Sequence, residues 1–134
     1  MSRSGYSDDC EQWDHIRWRG AVKSAIHGAR GQAFLREMLT ALEAMPRKRL
    51  IAGELQEADG EVCALGAVGL KRGMRMALID PEDREQVALK FGIAIALAAE
   101  IMFENDDGGW LIENPAARWQ RMHDWVQSQI KETR

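Results

Sequence analysis

The side chains best suited to chemistry in this 134-residue chain are Cys10 and Cys63, His15, His27 and His123, and the carboxylates among 21 Asp and Glu. A helical zinc site needs two ligands three or four residues apart, and the three histidines are separated by far more. Asn105-Asp106-Asp107-Gly108 resembles part of a calcium loop. That loop would also need an acid where Phe103 stands and a glutamate where Asn114 stands, so no metal is expected. A nucleophile needs an adjacent base. Cys63 lies instead in the apolar run Val62-Cys63-Ala64-Leu65, where a small buried thiol is the ordinary reading. There is no Gly-x-Ser-x-Gly, phosphate loop or dinucleotide fingerprint, and Gly66, Gly69 and Gly73 fit close helix packing better. No cofactor and no enzymatic activity are expected. The exception to be tested is a site assembled in space around Cys63 or Asp106.

Residues able to bind without reacting are more prominent. Arg19, Lys23, His27 and Arg30 follow the i, i+4, i+8, i+11 spacing of one helix face, which suits an anion or an acidic surface. Five tryptophans, Trp13, Trp18, Trp110, Trp119 and Trp125, supply core area or interface anchors. The candidate interaction surface is therefore Trp13, Arg19, Lys23, Arg30, Trp110 and Trp125. The overall charge of −3 divides into +3 over residues 1–53 and −6 over residues 54–134, a mild polarity that could orient a partner.

Glu85 to Ile93 has helix-turn-helix spacing, with Ala88 allowing close approach and Gly92 making the turn. The following helix offers Ile95, Ala96, Leu97, Ala98 and Ala99 where base-reading polar side chains belong. Residues 80–107 also carry two basic and eight acidic side chains. Phosphates would be repelled, so DNA association ranks below protein binding.

These residues must be positioned by helices. Ser7, Asp8 or Asp9 can cap a first helix running to His27, with Trp18, Ala21, Val22 and Ala25 as its apolar stripe. Gly28 and Gly31 are expected to end it in the left-handed conformation. Phe34, Leu35, Met38, Leu39, Leu42 and Met45 define a second helix stopped by Pro46. Residues 50–65 are ambiguous. Asp59-Gly60 between apolar runs signals a hairpin, and a helix should follow from about Glu61 to Gly73. Asp80-Pro81 reads as a cap followed by a first-turn proline, opening a helix closed by Gly92. A nearly all-apolar helix over 93–104 belongs in the core, a turn follows at Asn105–Gly109, and Asn114-Pro115 opens the last helix. The expected fold is mainly α: a compact bundle of about six helices, with one short β-hairpin near residues 50–65 as an option. It forms a single domain over 1–134, with residues 1–8 flexible. No apolar run is long enough to span a membrane and no apolar leader is present, so a cytoplasmic location is expected.

Several phrases carry a family resemblance: the opening Met1-Ser2-Arg3-Ser4-Gly5-Tyr6-Ser7-Asp8-Asp9, then Trp18-Arg19-Gly20-Ala21-Val22, and Arg30 to Leu39. Gly60 to Gly69, Asp80-Pro81-Glu82-Asp83, Phe91-Gly92-Ile93-Ala94, Glu100-Ile101 and Asn105-Asp106 continue it. Together they resemble a family of small proteins encoded by tailed bacteriophages and prophages. Asp107-Gly108-Gly109-Trp110 departs from that pattern. The resemblance implies action in an infected bacterial cell and stoichiometric binding of a host or phage protein, antagonism of a defence system such as CRISPR being one version. It supplies no catalytic residues. Self-association as a symmetric dimer is carried as an alternative to a monomer.

Overall fold

The computed structural model describes residues 12–109 and 112–132, with side chains from Ile16 onward. Among them are six α-helices: α1 (Gln12–His27), α2 (Ala29–Ala44), α3 (Ala64–Arg72), α4 (Arg84–Phe91), α5 (Ile95–Asp107) and α6 (Pro115–Gln129). A short 3-10 turn, Met76–Leu78, lies between α3 and α4. The protein is a mainly α bundle, and no strand occurs among the described residues. The expected N-terminal caps and flexible 1–8 segment lie outside them.

Helix α2 packs on both α3 and α6, while α5 packs on α1, α3, α4 and α6. Leu35, Met38 and Leu42 on α2 are fully buried, as expected from their spacing. They meet Leu65, Val68, Phe91, Leu97, Ile101, Met122 and Val126 in one continuous core. Burying each such side chain contributes roughly 1.5–3 kcal/mol. The apolar α5 is central as predicted, although its first residue, Ile95, is half exposed.

Several boundaries differ from expectation for identifiable reasons. Gly28 is not left-handed: φ is −69° and ψ 162°, an extended N-cap from which α2 starts at once. Gly31 lies inside α2 and breaks nothing. A Cβ there would fall 1.7 Å from the Ala25 carbonyl oxygen, so this glycine lets α2 approach α1. Along α1 the buried stripe is Val22 and Ile26 with Trp18 and Ala25 partly covered, whereas Ala21 faces outward.

Segment 50–63 is irregular. Glu57 N donates to Glu61 O at 2.8 Å around Asp59-Gly60, but the pairing extends only to one antiparallel bridge, Gln56 with Val62. Helix α3 begins at Ala64, not Glu61, because Cys63 is its N-cap. Helix α4 begins at Arg84, not Pro81. The Asp80 carboxylate accepts from Glu82 N at 2.9 Å, folding residues 80–82 into a turn, and Asp83 caps the helix instead. Gly73 and Gly92 end α3 and α4, as expected, both in the left-handed conformation; the close packing expected of Gly66, Gly69 and Gly73 occurs at the first two, while a Cβ at Gly73 would meet nothing within 4 Å. Asn114 caps α6 by accepting from Ala117 N at 2.8 Å.

The helix expected over 93–104 starts at Ile95, after Ala94 as its N-cap, and residues Asn105–Asp107 of the turn expected at Asn105–Gly109 form its last turn. Arg121 holds it: its Nη atoms donate to the carbonyls of Glu104 at 2.6 Å and Asn105 at 3.2 Å, two acceptors that a helix end leaves unsatisfied.

Candidate functional site

The catalytic-type residues are bonded into the framework. Cys63 is buried and its Sγ accepts from Gly66 N at 3.4 Å, capping α3. Burial pushes its thiol up to about 12, opposite to the direction that makes a thiolate nucleophile. Asp106 Oδ1 accepts from Gly53 N at 3.1 Å and from Asn105 Nδ2 at 2.8 Å. Cys63 and Asp106 do line one small cavity, but its volume of about 10 Å3 approximates a single water. His123 stacks on Trp119, with ring centroids 4.9 Å apart, and its Nε2 lies 3.0 Å from Glu43 Oε1. Among the described residues no three His, Cys, Asp or Glu side chains group as metal ligands.

Three of the six expected interaction residues meet. Arg19 and Lys23 from α1 and Trp125 from α6 line a cleft of about 340 Å3, together with Trp18, Val22, Ile26 and His27. Its remaining lining is Glu100 and Glu104 from α5 and Gln129 from α6. Exposed Arg17, Arg19 and Lys23 form no ion pair among the described residues, so their charges face solvent beside two partly buried indoles. Arg30 does not join them. Gly28 redirects the chain, and Arg30 sits on α2 beside Ile93 and Ala94 in a different depression. The side chains of Trp13 and Trp110 lie outside the described residues. Trp119 is core, its Nε1 donating to Leu42 O at 3.1 Å.

The α4–α5 pair bends through 106°, within the range of helix-turn-helix units. Its second helix, however, turns Leu97, Ala98, Ile101 and Met102 into the core, leaving no base-reading face. No single described helix is long and apolar enough to cross a membrane.

The sequence did not point to a second concavity of about 530 Å3 between the C-terminal half of α2, α3 and the turn at 59–62. Ala41 and Ala67 on its floor are too small to fill the space between the helices, and the lip residue Leu70 is 51% exposed. Ala41 and Ala44 at i, i+3 beside a buried leucine were the available signal, but alanine is ordinary on any helix. No family model matches the chain, and neither curated proteins nor solved structures yielded a significant match.

Proposed function

We propose that the protein acts stoichiometrically, by binding another protein through the cleft between α1 and α6. The observation that carries this reading is the convergence of Arg19, Lys23 and Trp125 on one cleft. Arginine and tryptophan are the residue types that dominate binding hot spots. Arg19 and Lys23, which form no ion pair among the described residues, lose no such pair on association. The bonding of Cys63, Asp106 and His123 into the framework supports a binding role over a catalytic one. The sequence resemblance supports a setting in an infected bacterial cell, with a host or phage protein as partner and a defence complex such as CRISPR as one version.

The test is affinity capture from bacterial lysate with the wild-type chain and the Arg19→Glu/Lys23→Glu and Trp125→Ala variants. One partner recovered at near-equimolar yield by the wild type, and at least tenfold less by the variants, is the expected result. No such partner, or equal recovery by all three proteins, overturns it. The second reading, DNA association, has the exposed Arg17, Arg19 and Lys23 on α1 in its favour. It predicts salt-sensitive retention of duplex DNA by the purified protein, lost on the same charge reversal.

A further inference from the structure

The concavity between α2 and α3 is independent of the α1–α6 cleft, and no lining residue is common to both. It is an open concavity with a volume of about 530 Å3. The floor is apolar, from Ala41, Val62 and Ala67, all nearly fully buried. Above that floor the rim is charged with opposite signs on its two sides. The helical side carries Arg47, just after α2, and Lys71 on α3; the turn side carries Asp59 and Glu61. None of the four forms an ion pair among the described residues.

We propose that this groove receives an amphipathic helical segment of a protein partner. Apolar side chains on one stripe of that segment fill the space above Ala41 and Ala67. Its acidic flank faces Arg47 and Lys71, and its basic flank faces Asp59 and Glu61. The groove would thereby use the helix-in-groove mode of recognition, in which anchors recur at i, i+3 and i+4. Charge order across the rim favours this occupant over others. A fatty or purely apolar ligand would make no use of the four rim charges, and a polyanion would be repelled by the acidic side. Opposed flank charges also fix the direction in which the segment lies.

The test uses three labelled 14-residue helical peptides in fluorescence anisotropy with the full-length protein. Each has leucines at i, i+4 and i+7. The first has glutamates on one flank and lysines on the other, the second exchanges the flanks, and the third carries glutamate on both. The expected result is saturable binding of both of the first two, which lie in opposite directions along the groove, each at least tenfold tighter than the third. Lys71→Glu, an exposed change, should weaken both at least fivefold, and a peptide with lysine at the facing position should restore binding. Leu70→Asp should weaken every peptide, with unchanged circular dichroism. No binding, equal binding of all three peptides, or no rescue of Lys71→Glu overturns the proposal. Tighter binding of the all-glutamate peptide overturns it too, because that outcome assigns the groove to an acidic ligand.

Discussion

Asn105 offers the sharpest check on how the irregular 50–63 segment is held. Its side chain is 2% exposed and bridges three places: Oδ1 accepts from Ala64 N at 3.0 Å, and Nδ2 donates to Ile51 O at 2.9 Å and to Asp106 Oδ1 at 2.8 Å. Asn105→Ala removes all three bonds and leaves the fully buried Ala64 N–H without that acceptor. Each buried polar group so stranded costs about 1–3 kcal/mol, and Ile51 O, on a partly exposed residue, falls at the lower end. The loss should be about 2–4 kcal/mol out of the roughly 5–15 kcal/mol that stabilises a typical domain. Urea titration followed by tryptophan fluorescence should show a lower midpoint with unchanged slope, and hydrogen exchange at the Ala64 amide should accelerate. Asn105→Asp sharpens the test. It keeps an acceptor for Ala64 but sets a second carboxylate beside Asp106 and Ile51 O. Its deficit relative to wild type should therefore shrink as pH falls and that carboxylate is protonated. An unfolding free energy within about 0.5 kcal/mol of wild type for Asn105→Ala would refute the assignment of this residue as the tie between α5 and the segment.

Three other outcomes follow from the same physical chemistry. Gly31→Ala should destabilise by at least about 2 kcal/mol, because its Cβ would meet the Ala25 carbonyl at 1.7 Å, whereas Gly20→Ala, with nothing within 4 Å, should stabilise α1 by about 0.5–1 kcal/mol in the same titration. In a Cys10→Ser background, Cys63 should resist alkylation at pH 8 until denaturant is added; its rise from 9.0 to about 12 reduces the thiolate fraction about a thousandfold. Hydrogen bonding to Arg121 holds Glu113 below its ordinary 4.5, and Arg72 does the same for Glu37, so both contributions are complete above that value and are lost as pH falls below it. Glu113→Gln and Glu37→Gln should each flatten the acid limb of a stability-versus-pH curve, and an unchanged limb in both would contradict the pairing.

The bundle was legible where local signals and packing agree. The apolar spacing of Phe34 to Leu42 and the Asn114-Pro115 start placed α2 and α6, because those patterns have no competing local use. Glycine has two uses that look alike in sequence. At Gly73 and Gly92 it supplies a positive φ, while at Gly31 it supplies the absence of a Cβ, and only the position of Ala25 in space separates them. Asp80 and Asp83 are equally good caps by composition; the bond from Asp80 N to Gln86 Oε1 favours the later start. Asn105 and Asp106 form turns readily, yet their partners are Ile51 and Gly53, more than fifty residues away, and no local pattern can contain those bonds. The site shows the same division. Arg19, Lys23 and Trp125 were recognisable as residue types, but their meeting depends on α2 and α5, which pack on both α1 and α6 and set them on either side of the cleft. Arg30 was lost from the group by a single turn of backbone at Gly28.

That meeting is enforced from inside. Gln32, nearly buried on α2, donates from Nε2 to Ile26 O at 2.8 Å and to Gln129 O at 3.0 Å, while its Oε1 accepts from Lys131 N at 2.8 Å. Lys131 Nζ in turn donates to His27 O at 2.8 Å. The ends of α1 and α6 are thus clasped through one amide at the end of the cleft that carries His27 and Gln129, and the approach allowed by Gly31 brings α2 close enough to do it. A wall fixed this way presents Lys23 and Trp125 without further ordering, so association through the cleft loses less conformational freedom than it would on two independently mobile helices. On the proposed reading, buried Gly31 and Gln32 shape the cleft as surely as Arg19, Lys23 and Trp125 line it.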